Sequence, residues 1–237
     1  MPPSSMTLPI VLIPGLLSSP RLYAEQIPAL WRRGPVTIAD HTRDDSMRGI
    51  ARRILASAPP RFALAGLSMG GYIAFEILRQ APERVVQLAL LDTSARPDTP
   101  EQTAARRAQI VLAQEGRLRE VVDAAFPRLV HPGHRADPRL RDLMARMAED
   151  VGVEGFVHQQ LANIGRADSR PGLGAIRCPT LVLVGDQDEL TPPDRAAEIA
   201  SAIPGARLVE IPGSGHSSPI EQPALVTQAL LEFLEAP

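Results

Sequence analysis

Short apolar runs alternate with amphipathic stretches along most of this chain. Residues 8–13, 62–65, 85–91 and 180–184 are brief and almost wholly apolar, the pattern of parallel strands covered on both faces. Shorter runs at 36–39 and 208–211 read the same way. Between them apolar residues recur at helical spacing. Leu22, Ile27 and Leu30 predict a helix over 21–31, and Met47, Ile50, Ile54 and Leu55 predict a second from Ser46. Tyr72, Ile73, Phe75, Ile77 and Leu78 mark a third, which Pro82 stops, and two more are predicted over 193–202 and 223–234.

The alternation breaks after Asp92. Residues 97–174 carry only helical patterns, over 101–114, 118–126, 138–147 and 153–164, punctuated by Pro132-Gly133 and Pro171-Gly172. Strand and helix thus alternate on both sides of an all-helical insert. This order predicts an α/β fold: a mostly parallel, doubly wound sheet of about six strands. Residues 1–96 and 175–237 would form the core, and 97–174 a helical lid inserted after the fourth strand.

The chemistry concentrates where the third strand meets the third helix. Gly66-Leu67-Ser68-Met69-Gly70 fits G-x-S-x-G, a turn that lifts a serine hydroxyl above the sheet. The plainer alternative is a serine that only caps the helix. A nucleophilic serine needs an adjacent base. His216, in Gly213-Ser214-Gly215-His216 just after the last strand, stands at the carboxyl end of a strand, where open parallel sheets gather their sites. Asp188 in Gly185-Asp186-Gln187-Asp188 is the expected orienting acid, with Asp92 the runner-up. Ser68, Asp188 and His216 then follow the nucleophile–acid–base order of such sites. Backbone N–H groups of Leu16, in Pro14-Gly15-Leu16-Leu17, and of Met69 are the expected oxyanion donors.

These segments together resemble the α/β-hydrolase superfamily over essentially the whole chain. They are similar to its small lidded members, such as esterases of pimeloyl-carrier methyl esters and enol-lactonases. The resemblance implies a sheet that begins at the family's third strand and a lid over Ser68. Many relatives have His-Gly where this chain has Pro14-Gly15, and the 40–46 loop lacks the glycines common among them, so its role is left open.

The expected reaction is hydrolysis of a small or medium carboxylic ester, or a lactone, through an acyl-enzyme on Ser68. Use of the same triad for C–C cleavage, perhydrolysis or lyase chemistry is the alternative, as is a ligand-binding receptor with little turnover. Phe126, Phe156 and His158 are the insert residues expected to touch substrate if any do, although packing within the insert is the plainer account of both phenylalanines.

Composition narrows the partners. Net charge is −2 with 25 Lys+Arg, every one of them Arg, and no basic run marks nucleic-acid or membrane binding. The insert is electrically even, 11 Arg against 11 Asp+Glu over 97–174, so its sum signals no anionic substrate. Cys178 is the only cysteine, which fits a reducing compartment, and a short polar start without an apolar leader points to the cytoplasm. Neither a metal nor a cofactor is expected. Position five of an EF-type loop at Asp186 would be Leu190, and His131 and His134 lack further ligands.

Overall fold

The computed structural model describes residues 7–235; most of the polar start read above against a leader lies outside them. Six strands form one parallel sheet: β1 (Ile10–Ile13), β2 (Val36–Ile38), β3 (Phe62–Leu67), β4 (Val85–Leu91), β5 (Thr180–Gly185) and β6 (Arg207–Ile211). Their order is β2-β1-β3-β4-β5-β6. The chain therefore winds outward in one direction to β2, returns past β1, and winds to the other edge. Carboxyl ends of β1 and β3, neighbours at this reversal, flank the crevice where such sheets bind ligands.

Alternate residues of β3 supply the two layers. Phe62 and Leu64 point into one core with α2 (Met47–Ser57), α3 (Met69–Gln80) and α7 (Pro193–Ala202). Ala63, Ala65 and Leu67 point into the other, with α1 (Ile27–Trp31) and α9 (Pro223–Glu235). This period of two, with both faces covered, explains why the central strands read as unbroken apolar runs.

Between β4 and β5 come α4 (Pro100–Gln114), α5 (Leu118–Leu129) and α6 (Pro138–Ile164), and a short α8 (Ser218–Glu221) follows β6. Gly152, at φ 70°, breaks α6 into the two segments that the sequence periodicity separates. Thr99 begins α4 with a reciprocal capping box to Gln102. One expectation fails. Residues 21–31 are not a single helix but a 3-10 turn at Pro20–Tyr23 followed by the short α1. The buried Gln26 side chain, between them, donates to the carbonyl of Pro219, and this tertiary bond lies where the helix would run through.

Among the described residues no helix is long and apolar enough to cross a membrane.

Candidate active site

Ser68 occupies the one-residue joint between β3 and α3, at φ 54° and ψ −113°. A side chain adopts such a backbone only when its surroundings impose it. Ser68 N–H donates to the Leu91 carbonyl at 2.9 Å, and Thr93 Oγ1 donates to the Ser68 carbonyl at 2.7 Å. The two motif glycines make the turn sterically feasible. A Cβ on Gly66 would collide with the Gly70 carbonyl, and one on Gly70 with the Ile13 carbonyl of β1.

The loop after β6 brings His216 to this serine. Its Nε2 lies 2.9 Å from Ser68 Oγ, and its Nδ1 lies 2.8 Å from Asp188 Oδ2. Asp188, beyond the end of β5, also accepts from the N–H groups of Leu190 at 2.8 Å and Thr191 at 2.9 Å, and from Thr191 Oγ1 at 2.7 Å. Both side chains are almost completely buried. Burial works against each charge, yet the interactions between them win. The His216 charge and hydrogen bonds from His216 and Thr191 hold the Asp188 carboxyl below the usual range. Burial likewise depresses His216, but the charge and hydrogen bond of Asp188 outweigh it and raise the ring above the ordinary imidazole value.

Asp92 is fully buried, accepts from Gly185 N–H at 2.8 Å and bonds Ser218 Oγ. Burial and the nearby Asp188 charge push it up to about 8. The two carboxylates thus differ in state: Asp188 is ionised at neutral pH and Asp92 is largely protonated. Asp188, the one in contact with His216, is the acid placed to orient that ring.

Glu221, which sequence reasoning missed, holds the His216 loop. Its carboxylate accepts from Gly215 N–H at 2.9 Å and Ser217 N–H at 3.2 Å, on either side of His216, and from His131 N–H at 2.6 Å in the insert. His134 Nδ1 lies 2.9 Å from the same carboxylate. This accounts for the His134 ring, while the His131 ring accepts from Gly133 N–H at 3.0 Å and caps the turn between them. Among the described residues no group of three or more His, Cys, Asp or Glu is arranged to hold a metal ion.

A cavity of about 340 Å³ opens over Ser68 and His216. Leu16, Leu17, Met69 and Met147 line it, with Phe156 and one face of α5. A Cβ on Gly15 would stand 3.4 Å from that of Ser68, so the Gly15-Leu16 backbone passes beside the serine. Two of the three insert expectations are corrected. Phe126, on α5, is fully buried in the hydrophobic core, with the Arg141 guanidinium 4.3 Å over its ring, and does not line the cavity. His158 turns away, its Nδ1 2.9 Å from the Thr42 carbonyl. Only Phe156 of the three reaches the cavity.

The chain is similar to known proteins over nearly its whole length. Residues 35–223 match the model of a family described as "alpha/beta hydrolase fold". A thermophilic esterase from Thermogutta terrifontis superposes with a TM-score of 0.86 at 31% identity, over 96% of this chain and 89% of that one. The enol-lactonase from Burkholderia xenovorans LB400 gives a TM-score of 0.87 at 26% identity, over 97% of this chain and 92% of the other. A Mycobacterium tuberculosis protein whose name places it with the non-heme bromoperoxidases, BpoC, is 30% identical over 192 residues, 74% of this chain and 68% of its own. Matching family model and near-complete superposition leave one conclusion: this chain belongs to the α/β-hydrolase family.

Proposed function

We propose that this enzyme hydrolyses carboxylic esters of small to medium size through an acyl-enzyme on Ser68. The observation that carries the reading is the unbroken line from Asp188 Oδ2 through His216 to Ser68 Oγ, with steps of 2.8 and 2.9 Å, at the floor of the cavity. His216 Nε2 takes the Ser68 hydroxyl proton as Oγ bonds to the ester carbonyl carbon. The carbonyl π electrons move onto oxygen, where the Leu16 and Met69 N–H groups receive the charge. Collapse breaks the bond to the leaving oxygen, and His216 returns the proton to the departing alcohol. Water then repeats the sequence on the acyl-enzyme and frees the acid. A lactone follows the same steps, its leaving alcohol remaining attached to the acyl group.

The cavity volume suits a compact molecule, and Val121, Val122, Met144 and Met147 give it an apolar wall for an acyl chain. The esterase and enol-lactonase relatives favour hydrolysis of esters and lactones. The BpoC likeness favours a second reading, in which hydrogen peroxide replaces water and releases a peracid. Peroxide-dependent peracid formation from acetate separates that reading from plain hydrolysis. The site itself is tested with a fluorophosphonate probe, its adduct located by peptide mass spectrometry. Stoichiometric labelling at Ser68, lost in Ser68→Ala, is the expected result. Folded protein that stays unlabelled would refute an activated nucleophile.

A further inference from the structure

The donor opposite Met69 belongs to the loop after β1, and that loop is gripped from outside. Leu17, at φ 54°, is held in a left-handed backbone that a leucine rarely adopts. Its N–H donates to Oε1 of Gln159 on α6 at 3.0 Å. Gln159 is fully buried, and its Nε2 lies 3.0 Å from Nε2 of His41 in the loop after β2. That same ring nitrogen lies 2.9 Å from the Gly15 carbonyl oxygen. Gly15 C=O and Leu16 N–H are the two ends of one planar peptide, so a group fixing the first aims the second.

His41 Nε2 can serve one partner at a time. With its proton on Nε2 the ring donates to the Gly15 carbonyl; with the proton on Nδ1 it accepts from the Gln159 amide. Only the first of these holds the Gly15 carbonyl, and in that state the buried pair bounds Leu16 on both sides, His41 at the peptide before it and Gln159 at the peptide after it. The same α6 face reaches the second donor segment. Asn163, one helical turn beyond Gln159, donates from Nδ2 to Met69 Sδ at 3.4 Å. One face of the insert therefore bonds the Leu17 backbone on one side of Ser68 and the Met69 side chain on the other.

We infer that Gln159 and His41 are positioning residues for the oxyanion hole, tying the direction of the Leu16 N–H to the seating of the helical insert. This rests on the proposed role of Leu16 as an oxyanion donor. It also gives a role to the 40–46 loop, whose His41 stands next to the β2 carboxyl end and beneath the insert. Such residues act on the transition state and leave ground-state binding almost untouched.

The test compares wild type with Gln159→Leu and His41→Asn for ester turnover, for the rate of Ser68 labelling by a fluorophosphonate, and for affinity toward a boronic acid. The boronate forms a tetrahedral adduct on the serine. For Gln159→Leu we expect kcat and labelling rate to fall about 10- to 100-fold, below the ~10²–10³ of deleting a donor outright. Boronate affinity should fall by a matching factor, with KM within about twofold and thermal unfolding still cooperative. His41→Asn, whose amide can bond either partner, should lose less than Gln159→Leu. Wild-type and Gln159→Leu protein labelled at equal rates would overturn the inference, as would a loss confined to KM. If wild-type Ser68 itself resists the probe, the esterase reading fails instead, so the two failures are distinct.

Discussion

Asp92 and Asp188 lie at the ends of adjacent strands, both buried, and their environments drive them apart. Asp188 collects two backbone N–H groups, a hydroxyl and an imidazole, enough to keep its charge. Asp92 has one N–H, one hydroxyl and an anionic neighbour, and holds its proton up to about pH 8. The sign for stability follows from that. Unfolded, the carboxyl loses its proton near its ordinary value of about 4; folded, it keeps the proton to about 8. Its contribution is fully present below about pH 4 and is lost as pH rises to about 8. Asp92→Asn supplies a neutral group of the same shape at every pH, its amide able to donate to Ser218 and its oxygen to accept from Gly185. The variant should therefore gain on wild type between pH 5 and 8, by about 5 °C or more in Tm, while kcat stays within a few-fold. A Tm difference flat across that range, in thermal scans at matched ionic strength, contradicts a protonated Asp92. Loss of most activity at neutral pH would mean that Asp92 takes part in the proton chemistry.

At the scale of elements, the joint between β3 and α3 is the tightest part of the structure. Gly70 lets α3 start directly against the Ile13 carbonyl, and no rotation of a side chain could relieve a methyl group placed there. Gly70→Ala should cost more than about 2 kcal/mol in urea unfolding and also displace Ser68 from His216. An alanine variant of wild-type stability and activity would show that the joint has slack. This joint was legible in the sequence because its parts are contiguous: an apolar strand, G-x-S-x-G and an amphipathic helix in immediate succession. The strands were legible for the same reason, since burial on both faces imposes an unbroken apolar run. Gln26 marks where local pattern stops being informative, because its partner Pro219 lies 193 residues away, and α1 is shortened by a bond that no window of periodicity contains. Gln159 and His41, 118 residues apart and polar, carry no pattern of their own. Glu221 is hidden likewise, being an ordinary acidic residue until the fold brings four donors to it.

Over the whole molecule, charge balances: net −2 for the chain, and 11 Arg against 11 Asp+Glu in the insert. The cavity does not balance. Arg106 and Arg128 line it, and no Asp or Glu does among the described residues. Arg106 is committed to Asp98 and Gln160, with bonds of 2.7 Å to each. Arg128 makes no ion pair or side-chain hydrogen bond among the described residues. It projects from the same α5 face as Val121, Val122, Ala125 and Leu129, the spacing of one helical stripe. Folding has sorted the insert's charges, pairing several of its carboxylates with other arginines, such as Asp123 with Arg119 and Arg141, and leaving this guanidinium beside the apolar wall. The summed charge of the insert carried no trace of that sorting. Arg128 is the lining cation that no carboxylate neutralises among the described residues, so esters that carry a carboxylate are the expected preference. Arg128 is exposed, and solvent screening keeps the effect modest. Arg128→Gln should raise KM for a methyl half-ester of a dicarboxylic acid about fivefold to tenfold and leave a neutral ester of equal length within twofold. High salt should raise the wild-type KM for the half-ester in the same direction, because a screened charge and a deleted one fail alike. Equal KM changes for charged and neutral esters would mean that Arg128 only shapes the cavity, and that selectivity rests on the apolar wall alone.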